Sequence, residues 1–333
     1  MMSSASPTTH ASKIQASIAA DDAARSGVVA SWRRCIARHG LDPNMQSRRS
    51  ILTESELRQS EERSGPLLAH VMQPLSHLST TLAPYCMWVG YAAPDGVILA
   101  MRARDGDTAH VAQWGLARGV DWSEAVEGTN GIGTCLVEET PLIINSDEHF
   151  FSRDSVMTCV VAPIFDHQGR IGGAFNVSLY GPDMAREIRR IVASLVGFAA
   201  RQVESEHFHA MFPTCRIISL GTSGRSGNAL LAVDSDDVVH AATRGARAML
   251  KLSDAHLQAG ICANDLLEDP EDGLPSAERA AIRRALVRSG GNVSAAGRAL
   301  GLSRATINRK LKFHGLNGGN LSSEADAGKR PPG

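Results

Sequence analysis

One stretch decides the fold of the C-terminal part of this chain: Gly291-Asn-Val-Ser-Ala-Ala-Gly-Arg-Ala-Leu-Gly-Leu-Ser-Arg-Ala-Thr-Ile-Asn-Arg-Lys-Leu311. Asn292 and Ser303 each precede a segment of helical periodicity, and residues of this type cap helix N-termini. Gly301 suits a tight turn between the two segments. Two short helices joined by such a turn are typical of a helix-turn-helix. The predicted helices are 293–300 and 304 to about 314, preceded by a helix over 276–289 that Gly290-Gly291 ends.

Helical phase predicts which side of the last helix faces DNA. Ile307, Leu311 and His314 lie on one side, which is expected to pack inward together with the apolar residues of the preceding helices. The opposite side would enter a major groove, where Arg reads guanine and Asn reads adenine. Flanking basic residues would hold phosphates. The predicted DNA-binding residues are Arg298, Ser303, Arg304, Ala305, Thr306, Asn308, Arg309, Lys310 and Lys312.

The charge of this segment agrees with a nucleic-acid partner. Residues 278–316 contain nine basic side chains and one acid, Glu278, whereas the whole chain has a formal net charge of −1. A chain with almost no net charge does not attract polyanions over its whole surface, so any DNA site must be a local basic patch. The alternative is a solvated basic helix without a ligand.

The same segment resembles the Fis-type DNA-binding domain of bacterial enhancer-binding regulators. The resemblance rests on Ala285-Leu286, Gly291-Asn-Val-Ser-Ala-Ala296, Leu300-Gly-Leu-Ser-Arg304, Thr306 and Arg309-Lys-Leu311. Two positions depart from it. Gly297 lies inside the second helix, where glycine costs about 1 kcal/mol relative to alanine. Asn308 stands where relatives often carry an aromatic residue.

The preceding part of the chain has the pattern of an α+β domain. Strand-like runs at 86–91 and 97–101 flank the turn Pro94-Asp-Gly96, and runs at 160–165 and 171–178 flank Asp166-His-Gln-Gly169. Helices are predicted over 12–39, over 53–82 with a capping box at Thr53 and a break at Pro66, and after Pro182. The last of these carries an apolar stripe: Ile188, Ile191, Val192, Leu195, Val196, Ala199 and Val203.

Several motifs in this part resemble regulators similar to the acetoin-catabolism activator. They are Ser31-Trp-Arg-Arg-Cys-Ile-Ala-Arg-His-Gly-Leu-Asp-Pro43, Glu127-Gly-Thr-Asn-Gly-Ile-Gly-Thr134, Glu148-His-Phe150, Thr158-Cys-Val-Val-Ala-Pro-Ile164 and Gly169-Arg-Ile-Gly-Gly-Ala-Phe-Asn-Val-Ser178. The resemblance implies a GAF-like antiparallel sheet with flanking helices, and Ala229-Leu-Leu-Ala-Val-Asp234 with 241–250 resembles a shortened PAS segment. The expected organisation is a disordered start (1–11), a helical region (12–81), the GAF-like domain (82–208), a PAS-like segment with linkers at 221–227 and 268–275 (209–275), an all-α helix-turn-helix domain (276–316) and a disordered tail (317–333).

A GAF-like domain implies a small-molecule effector. We expect Trp88, Trp122, Cys135, Phe150, Cys159 and Phe175 to line its cavity. One alternative is a metal or redox sensor built from Cys135, Asp147, Glu148, His149 and Cys159. The other is an enzyme, for which no catalytic grouping emerges. The glycine spacing of Gly128-Thr-Asn-Gly-Ile-Gly133 matches neither the dinucleotide-binding motif G-x-G-x-x-G nor the Walker A sequence. We interpret this segment as a structural turn.

The sequence therefore predicts a ligand-responsive DNA-binding transcription regulator. Relatives of this architecture carry a central ATPase, but no P-loop is found here, so no ATPase activity and no cofactor are expected. The N-terminus lacks signal-peptide features and no apolar run is long enough to span a membrane, so a cytoplasmic protein is expected. The six cysteines form no C-x-x-C pair, so neither a zinc knuckle nor a dithiol motif is predicted. A homodimer is expected, through the stripe of the long helix or through Ile282 and Leu286, with RNA polymerase as a candidate partner.

Overall fold

The computed structural model describes residues 7–20, 26–45, 49–84, 86–104, 106–180, 185–223, 227–267, 278–279, 281–282, 284–286 and 289–316. The chain divides into two compact units. One comprises Met1–Ala232 and His240–Ser253, and the other comprises Val233–Val239 and Asp254–Gly333.

Four helices open the first unit: α1 (Pro7–Ala19), α2 (Gly27–Ala37), α3 (Glu54–Leu68) and α4 (Met72–Leu82). Helix α1 begins inside the segment that was expected to be disordered, and residues 21–25 lie outside the described residues. Thr53 and Glu56 form the predicted capping box at the start of α3. Pro66 lies within α3, which continues two residues past it, so the break falls between Leu68 and Met72 and not at the proline.

A five-stranded antiparallel sheet follows, which confirms the predicted α+β fold. Its strands are β1 (Cys86–Ala92), β2 (Ile98–Ala103), β3 (Leu142–Ile144), β4 (Met157–Phe165) and β5 (Ile171–Tyr180), in the order β2-β1-β5-β4-β3. The central strand β5 pairs with β1 through Tyr91–Phe175 and with β4 through Ala162–Phe175.

The sheet is buried on both faces, and side chains alternate between them. Val160, Ala162 and Val177 pack against α4 and the long helix α8 (Arg186–Met211), on what we call the α8 face. Cys159, Val161 and Ala174 pack on the opposite side, the α7 face, which is covered by α5 (Thr108–Gln113), α6 (Glu124–Glu127), α7 (Gly131–Glu138) and their loops. Short 3-10 turns at Ser146–Glu148 and Ser152–Asp154 connect β3 to β4.

Helix α8 buries only part of its predicted stripe. Val192, Val196, Ala199 and Val203 are buried against the sheet, whereas Ile191 is 60% exposed, as is Phe198 at 62%. Ile191 therefore lies on the predicted apolar stripe but outside its buried part, because the seven-residue step from Ile191 to Phe198 follows the solvent side of the helix.

A second sheet has the order β6 (Arg216–Ser223), β7 (Gly227–Val233) and β8 (Val239–Ala242), followed by α9 (Arg244–Leu250). The prediction of a linker over 221–227 is wrong for Gly221–Ser223 and for Gly227, which belong to β6 and β7. Asp234–Asp237 forms the predicted turn between β7 and β8, with Asp237 at a φ of 69°.

The second unit contains α10 (Asp254–Gln258), α11 (Ala263–Leu267), α12 (Val293–Ala299) and α13 (Arg304–Phe313). Helical backbone is also described at residues 278–279, 281–282 and 284–286, within the predicted first helix of the DNA-binding module. The predicted linker at 268–275 and the predicted disordered tail, 317–333, lie outside the described residues.

Candidate functional site

Helices α12 and α13 form the predicted helix-turn-helix. The side chain of Asn292 accepts the N–H of Ala295 at 3.1 Å, and that of Ser303 accepts the N–H of Thr306 at 3.1 Å. Both predicted caps are thus confirmed. Gly301 turns the chain at a φ of 65°, and the N–H of Leu302 donates to the carbonyl of Gly297 at 2.8 Å.

Gly297 explains how the two helices approach each other closely. A Cβ atom at this position would lie 3.2 Å from Cγ2 of Ile307 and 3.2 Å from the carbonyl oxygen of Leu302. Such contacts are tighter than ordinary van der Waals packing. Glycine at this position lowers the helix propensity of α12, but the missing Cβ lets α12 and α13 cross closely.

The core of this module contains the predicted residues with one exception. Ile282, Leu286, Ile307 and Leu311 are buried in a single cluster, whereas Ala299 is exposed. Leu286 is 0% exposed and Ile282 is 1% exposed. Because both already pack against the module's own helices, the prediction that they form a dimer surface is wrong.

Most of the predicted DNA-binding residues share one exposed face. Arg304, Ala305, Asn308, Arg309 and Lys312 are exposed on α13, while Ser303 and Arg298 are exposed on the adjoining turn and helix. Thr306 is half-buried, and its hydroxyl lies 2.8 Å from that of Ser303. The exposed set is spaced by three and four residues, so it can follow a groove along one side of the helix.

Lys310 differs from the other predicted contacts. Its ammonium is paired with the carboxylate of Glu278, which also accepts a hydrogen bond from Nε2 of His314 at 2.9 Å. The bonds from Lys310 and His314 hold the pKa of Glu278 below its ordinary value. Without DNA, Lys310 is thus held by the module's only acid, and its predicted phosphate contact would require this pair to open.

Phe313 was missed by sequence reasoning. It is 73% exposed at the end of α13, and its ring centroid lies 4.9 Å from that of His314. The available signal was its position two residues after Leu311, outside the buried stripe that Ile307 and Leu311 define. It adds an apolar contact surface beside Lys312.

The structure brings together four of the six predicted effector residues. Trp88, Trp122, Cys135 and Cys159 are buried in one cluster on the α7 face. Phe175 lies on the α8 face, and Phe150 packs with α1 and α2 around Trp32. Phe150 and Phe175 therefore do not line the same space as the other four.

On the sheet side of the α7 face, strands β1 and β5 each carry a polar atom that lacks a partner within the described part of the chain. They are Nε1 of Trp88, a hydrogen-bond donor, and Oδ1 of Asn176, an acceptor. Trp88 is 0% exposed, and Asn176 is 1% exposed. Gly131, at the start of α7, faces Asn176 so closely that a Cβ there would lie 3.0 Å from Oδ1. Unpartnered buried polar groups are costly, so each of these two atoms requires an explanation.

The N-terminal helices contact the loops of the α7 face through polar groups. The hydroxyl of Ser31 donates to Oε2 of Glu124 at 2.7 Å and lies 2.7 Å from the hydroxyl of Thr129. Nη2 of Arg34 donates to the same carboxylate oxygen at 2.9 Å. The indole of Trp32 donates to the carbonyl of Glu148 at 2.9 Å. Two motifs that are distant in sequence thus form one contact.

A second contact joins the segment before α3 to the same loops. The guanidinium of Arg49 pairs with the carboxylates of Glu127 and Asp154 and lies 4.2 Å from the ring centroid of Trp122. Glu127 is fully buried, and burial raises the pKa of its carboxyl although Arg49 and Arg153 oppose that shift. Arg49 therefore closes the α7 face at Trp122. Sequence reasoning gave no signal for its position.

No cluster of three His, Cys, Asp or Glu side chains among the described residues has a geometry that could hold a metal ion. His149 is fully buried, and burial lowers its pKa. Across the same part of the chain, no helix has the combination of length and apolar character that a bilayer crossing requires.

Comparison with known families accounts for both parts of this architecture. Residues 67–205 match the GAF domain, and residues 273–313 match the bacterial regulatory protein, Fis family. The chain combines a GAF domain with a Fis-family helix-turn-helix. The GAF match covers the five-stranded sheet with α4, most of α8 and the loops of the α7 face. The Fis-family match ends at Phe313 and includes the exposed basic face of α13.

The chain is homologous to regulators of acetoin catabolism. It is 27% identical over 192 residues to the acetoin catabolism regulatory protein of Cupriavidus necator, covering 57% of this chain and 29% of the relative. It is 26% identical over 154 residues to the acetoin dehydrogenase operon transcriptional activator of Bacillus subtilis, covering 46% and 25%. This chain thus spans less than a third of the length of either relative.

A solved structure has a similar fold. A chain of the E. coli DhaR(N)-DhaL complex superposes with a TM-score of 0.50 at 14% identity, covering 78% of this chain and 86% of that one.

Proposed function

We propose that this chain is a transcription regulator whose helix-turn-helix binds DNA and whose GAF domain senses a small molecule. The observation that carries the proposal is the exposed basic face of α13, where Arg304, Arg309 and Lys312 surround Asn308. This arrangement offers guanidinium and amide groups to base edges, with cationic groups for phosphates beside them. The names of the homologues, regulators and activators of operons, support the same conclusion.

The α7 face of the GAF domain is the proposed effector site. A ligand there would accept a hydrogen bond from Nε1 of Trp88 and donate one to Oδ1 of Asn176. Both relatives are named for acetoin, a small hydroxyketone. A hydroxyketone carries one carbonyl that accepts and one hydroxyl that donates, so this class matches the two free atoms. We propose a small hydroxyketone or diol as the effector, with Cys135, Cys159 and Trp122 forming apolar walls.

The chemistry of the cysteines disfavours the alternative of a redox sensor. Burial raises the pKa of Cys35 and of Cys159 to about 11 and raises that of Cys135 further. The thiolate is the reactive form, so these groups react slowly near neutral pH. A ligand-responsive regulator needs no reactive thiol and remains the better account.

The chain's organisation supports a regulator that works without ATP hydrolysis. Only residues 206–272 separate the two family matches, and this interval contains no P-loop sequence. We propose a cytoplasmic, non-enzymatic protein that acts on promoters as a homodimer, through RNA polymerase contacts or by occupying the promoter. The exposed apolar side chains Ile191 and Phe198 on α8 are the proposed dimer surface.

DNA binding is tested by selecting preferred sequences from a random pool and measuring affinity by fluorescence anisotropy at graded salt. We expect affinity to fall steeply with salt, because phosphate contacts release counterions. Arg309→Ala should lose about 1–3 kcal/mol of discrimination between the selected site and random DNA. Arg190→Ala, an exposed arginine on α8, is the matched control and should change neither value. Binding that is indifferent to salt and to Arg309 would refute the proposal.

The effector site is tested by thermal shift with small hydroxyketones, diols and hydrocarbons of equal size. A ligand that binds only the folded state raises the melting temperature. Trp88→Phe removes the free donor while keeping an aromatic ring, so it should reduce the shift given by a hydroxyketone. Tyr91→Phe changes an aromatic ring on the α8 face and should leave that shift unchanged. Equal responses in both variants would place the effector elsewhere.

A further inference from the structure

A cleft lies between the end of β4, helix α8 and helix α9, away from the proposed effector site on the α7 face. Its volume is about 270 Å³. It is lined by Glu139, Thr140, Pro141, Ala162, Pro163, Phe165, Gly197, Ala200, Arg201, Glu204, Arg244, Gly245 and Ala248. None of these residues belongs to the cluster around Trp88, so the cleft is separate from the proposed effector site.

Arg201 provides an unused cation in this cleft. Its side chain folds back along α8, so that a Cβ on Gly197 would lie 3.3 Å from its Nη1. No carboxylate or carbonyl of the described residues forms a hydrogen bond with its guanidinium or lies within ion-pair distance of it. The guanidinium presents five N–H donors in a planar fork that fits a carboxylate. A half-buried arginine without a partner favours an anionic ligand.

Glu204, one turn further along α8, supplies a second polar group. Its Oε1 accepts the backbone N–H of Phe165 at 2.9 Å. Burial raises the pKa of Glu204 to about 7, although Phe165, Arg201 and Arg244 oppose that shift. Near neutral pH a large fraction of this side chain is therefore a neutral acid, whose O–H can donate to a ligand.

Arg244 forms the opposite wall of the cleft and is already engaged. Its guanidinium lies 4.2 Å from the ring centroid of Phe165, and its Nη1 is 2.5 Å from a carboxylate oxygen of Glu139. The Arg244–Glu139 ion pair carries no net charge, so Arg201 is the cation that a ligand in the cleft would meet. The remaining lining is apolar or small, including Pro141, Pro163 and Ala200.

We propose that this cleft binds a small aliphatic or aromatic carboxylate. The carboxylate would take a bidentate hydrogen bond from Arg201, while its apolar tail would lie between the two prolines and Ala200. The cleft has room for about nine waters at roughly 30 Å³ each, which limits the ligand to about nine non-hydrogen atoms. Arg201 repels a cationic ligand, and one free guanidinium beside an acid suits a monoanion better than a phosphate dianion.

The site should respond to pH through Glu204. The charged groups that face it are Arg201 on its own helix and Arg244 on α9, with Glu139 behind Arg244. A bound carboxylate favours the protonated form of Glu204, whereas ionised Glu204 repels it. With a midpoint near 7, the affinity should fall about tenfold between pH 6 and pH 8.

Ligand-observed NMR of the full chain with butanoate tests the proposal, with butanamide as the neutral analogue, in a buffer free of carboxylates. We expect butanoate to bind at least tenfold more tightly than butanamide. Arg201→Gln should weaken butanoate at least tenfold, whereas Arg190→Gln, an exposed position on the same helix, should not. Circular dichroism and thermal melting establish that the variants are folded.

Glu204→Gln separates the pH effect from simple loss of the site. Glutamine can still accept from Phe165 and donate to the ligand, so butanoate should bind this variant with little pH dependence. Equal affinity for the amide, or unchanged binding by Arg201→Gln, would overturn the proposal. So would loss of butanoate binding in Trp88→Phe, because that result would place the carboxylate on the α7 face.

Discussion

Ser31 and Glu124, 93 residues apart in the sequence, share a hydrogen bond of 2.7 Å in which the hydroxyl donates to a carboxylate that is 2% exposed. Arg34 on the same helix donates to that carboxylate as well. This buried contact attaches α2 to the helix that precedes the Gly128–Gly133 turn. It indicates that the N-terminal helices are a structural part of the GAF domain, although the GAF match begins only at residue 67.

Arg34→Met should destabilise the protein by about 3 kcal/mol, because it leaves the buried carboxylate of Glu124 without its cation. The free energy of unfolding is measured by urea denaturation, followed through tryptophan fluorescence. Arg38→Met is the matched control, since Arg38 is exposed at the end of the same helix. Equal effects of the two substitutions would contradict the assigned importance of the Glu124 pair.

Lys312→Ala and Lys310→Ala should affect DNA binding unequally. Lys312 is exposed, so its loss should reduce the slope of log affinity against log salt by about 0.9 if it contacts one phosphate. Lys310 is engaged by Glu278, so its loss should change the slope far less. Glu278→Gln should release Lys310 and steepen the slope. Identical slopes for the two lysine variants would show that the pair opens on DNA.

Phe198→Glu should convert the dimer into a monomer at micromolar concentration, because it places a charge on the exposed apolar surface that Phe198 and Ile191 form on α8. Sedimentation velocity measures the outcome. DNA affinity should then fall to that of a single half-site. Phe313→Glu changes another exposed phenylalanine, on α13, and should leave the oligomeric state intact. A wild-type monomer would refute the assignment at once.

The wild-type protein should become less stable as the pH rises from 5 to 8. The pKa of Glu204 is raised in the folded state, so between its ordinary value and about 7 the folded chain binds the extra proton. Stability contributed by that proton is lost as the pH passes through 7, amounting to roughly 2 kcal/mol.

Glu204→Gln should remove this component from the pH profile of the free energy of unfolding. Glu187→Gln, an exposed acid at the start of α8, serves as the control and should retain it. A profile that is unchanged in Glu204→Gln would mean that the buried carboxyl stays ionised.

The helix-turn-helix could be predicted almost completely from sequence. Its caps at Asn292 and Ser303 bond to N–H groups three residues away, and Ile307 and Leu311 are one helical turn apart. Such signals are local, so they depend little on the rest of the fold. The sequence pattern did not indicate a pairing between residues far apart in the chain: Lys310 meets Glu278, 32 residues earlier.

The effector residues were harder to place because they depend on strand pairing. Cys159 pairs with Ser178 and Ala162 pairs with Phe175, and this register directs Cys159 and Phe175 to opposite faces of the sheet. A shift of one residue would exchange those faces, and composition alone does not set the register. Phe150 was misplaced for a related reason, since it packs on α1 and α2, which lie more than 100 residues earlier.

Local sequence signals were enough to predict an α+β domain followed by a capped helix-turn-helix with a basic exposed face. Those features follow from turns, caps and periodicities that extend over fewer than about 15 residues. Which side chains lack a partner depends instead on how distant segments pack together. Trp88, Asn176 and Arg201 became candidate ligand contacts because no element in the described part of the chain supplies a partner. Ile282 and Leu286 are buried within their own module, and Lys310 is paired with Glu278.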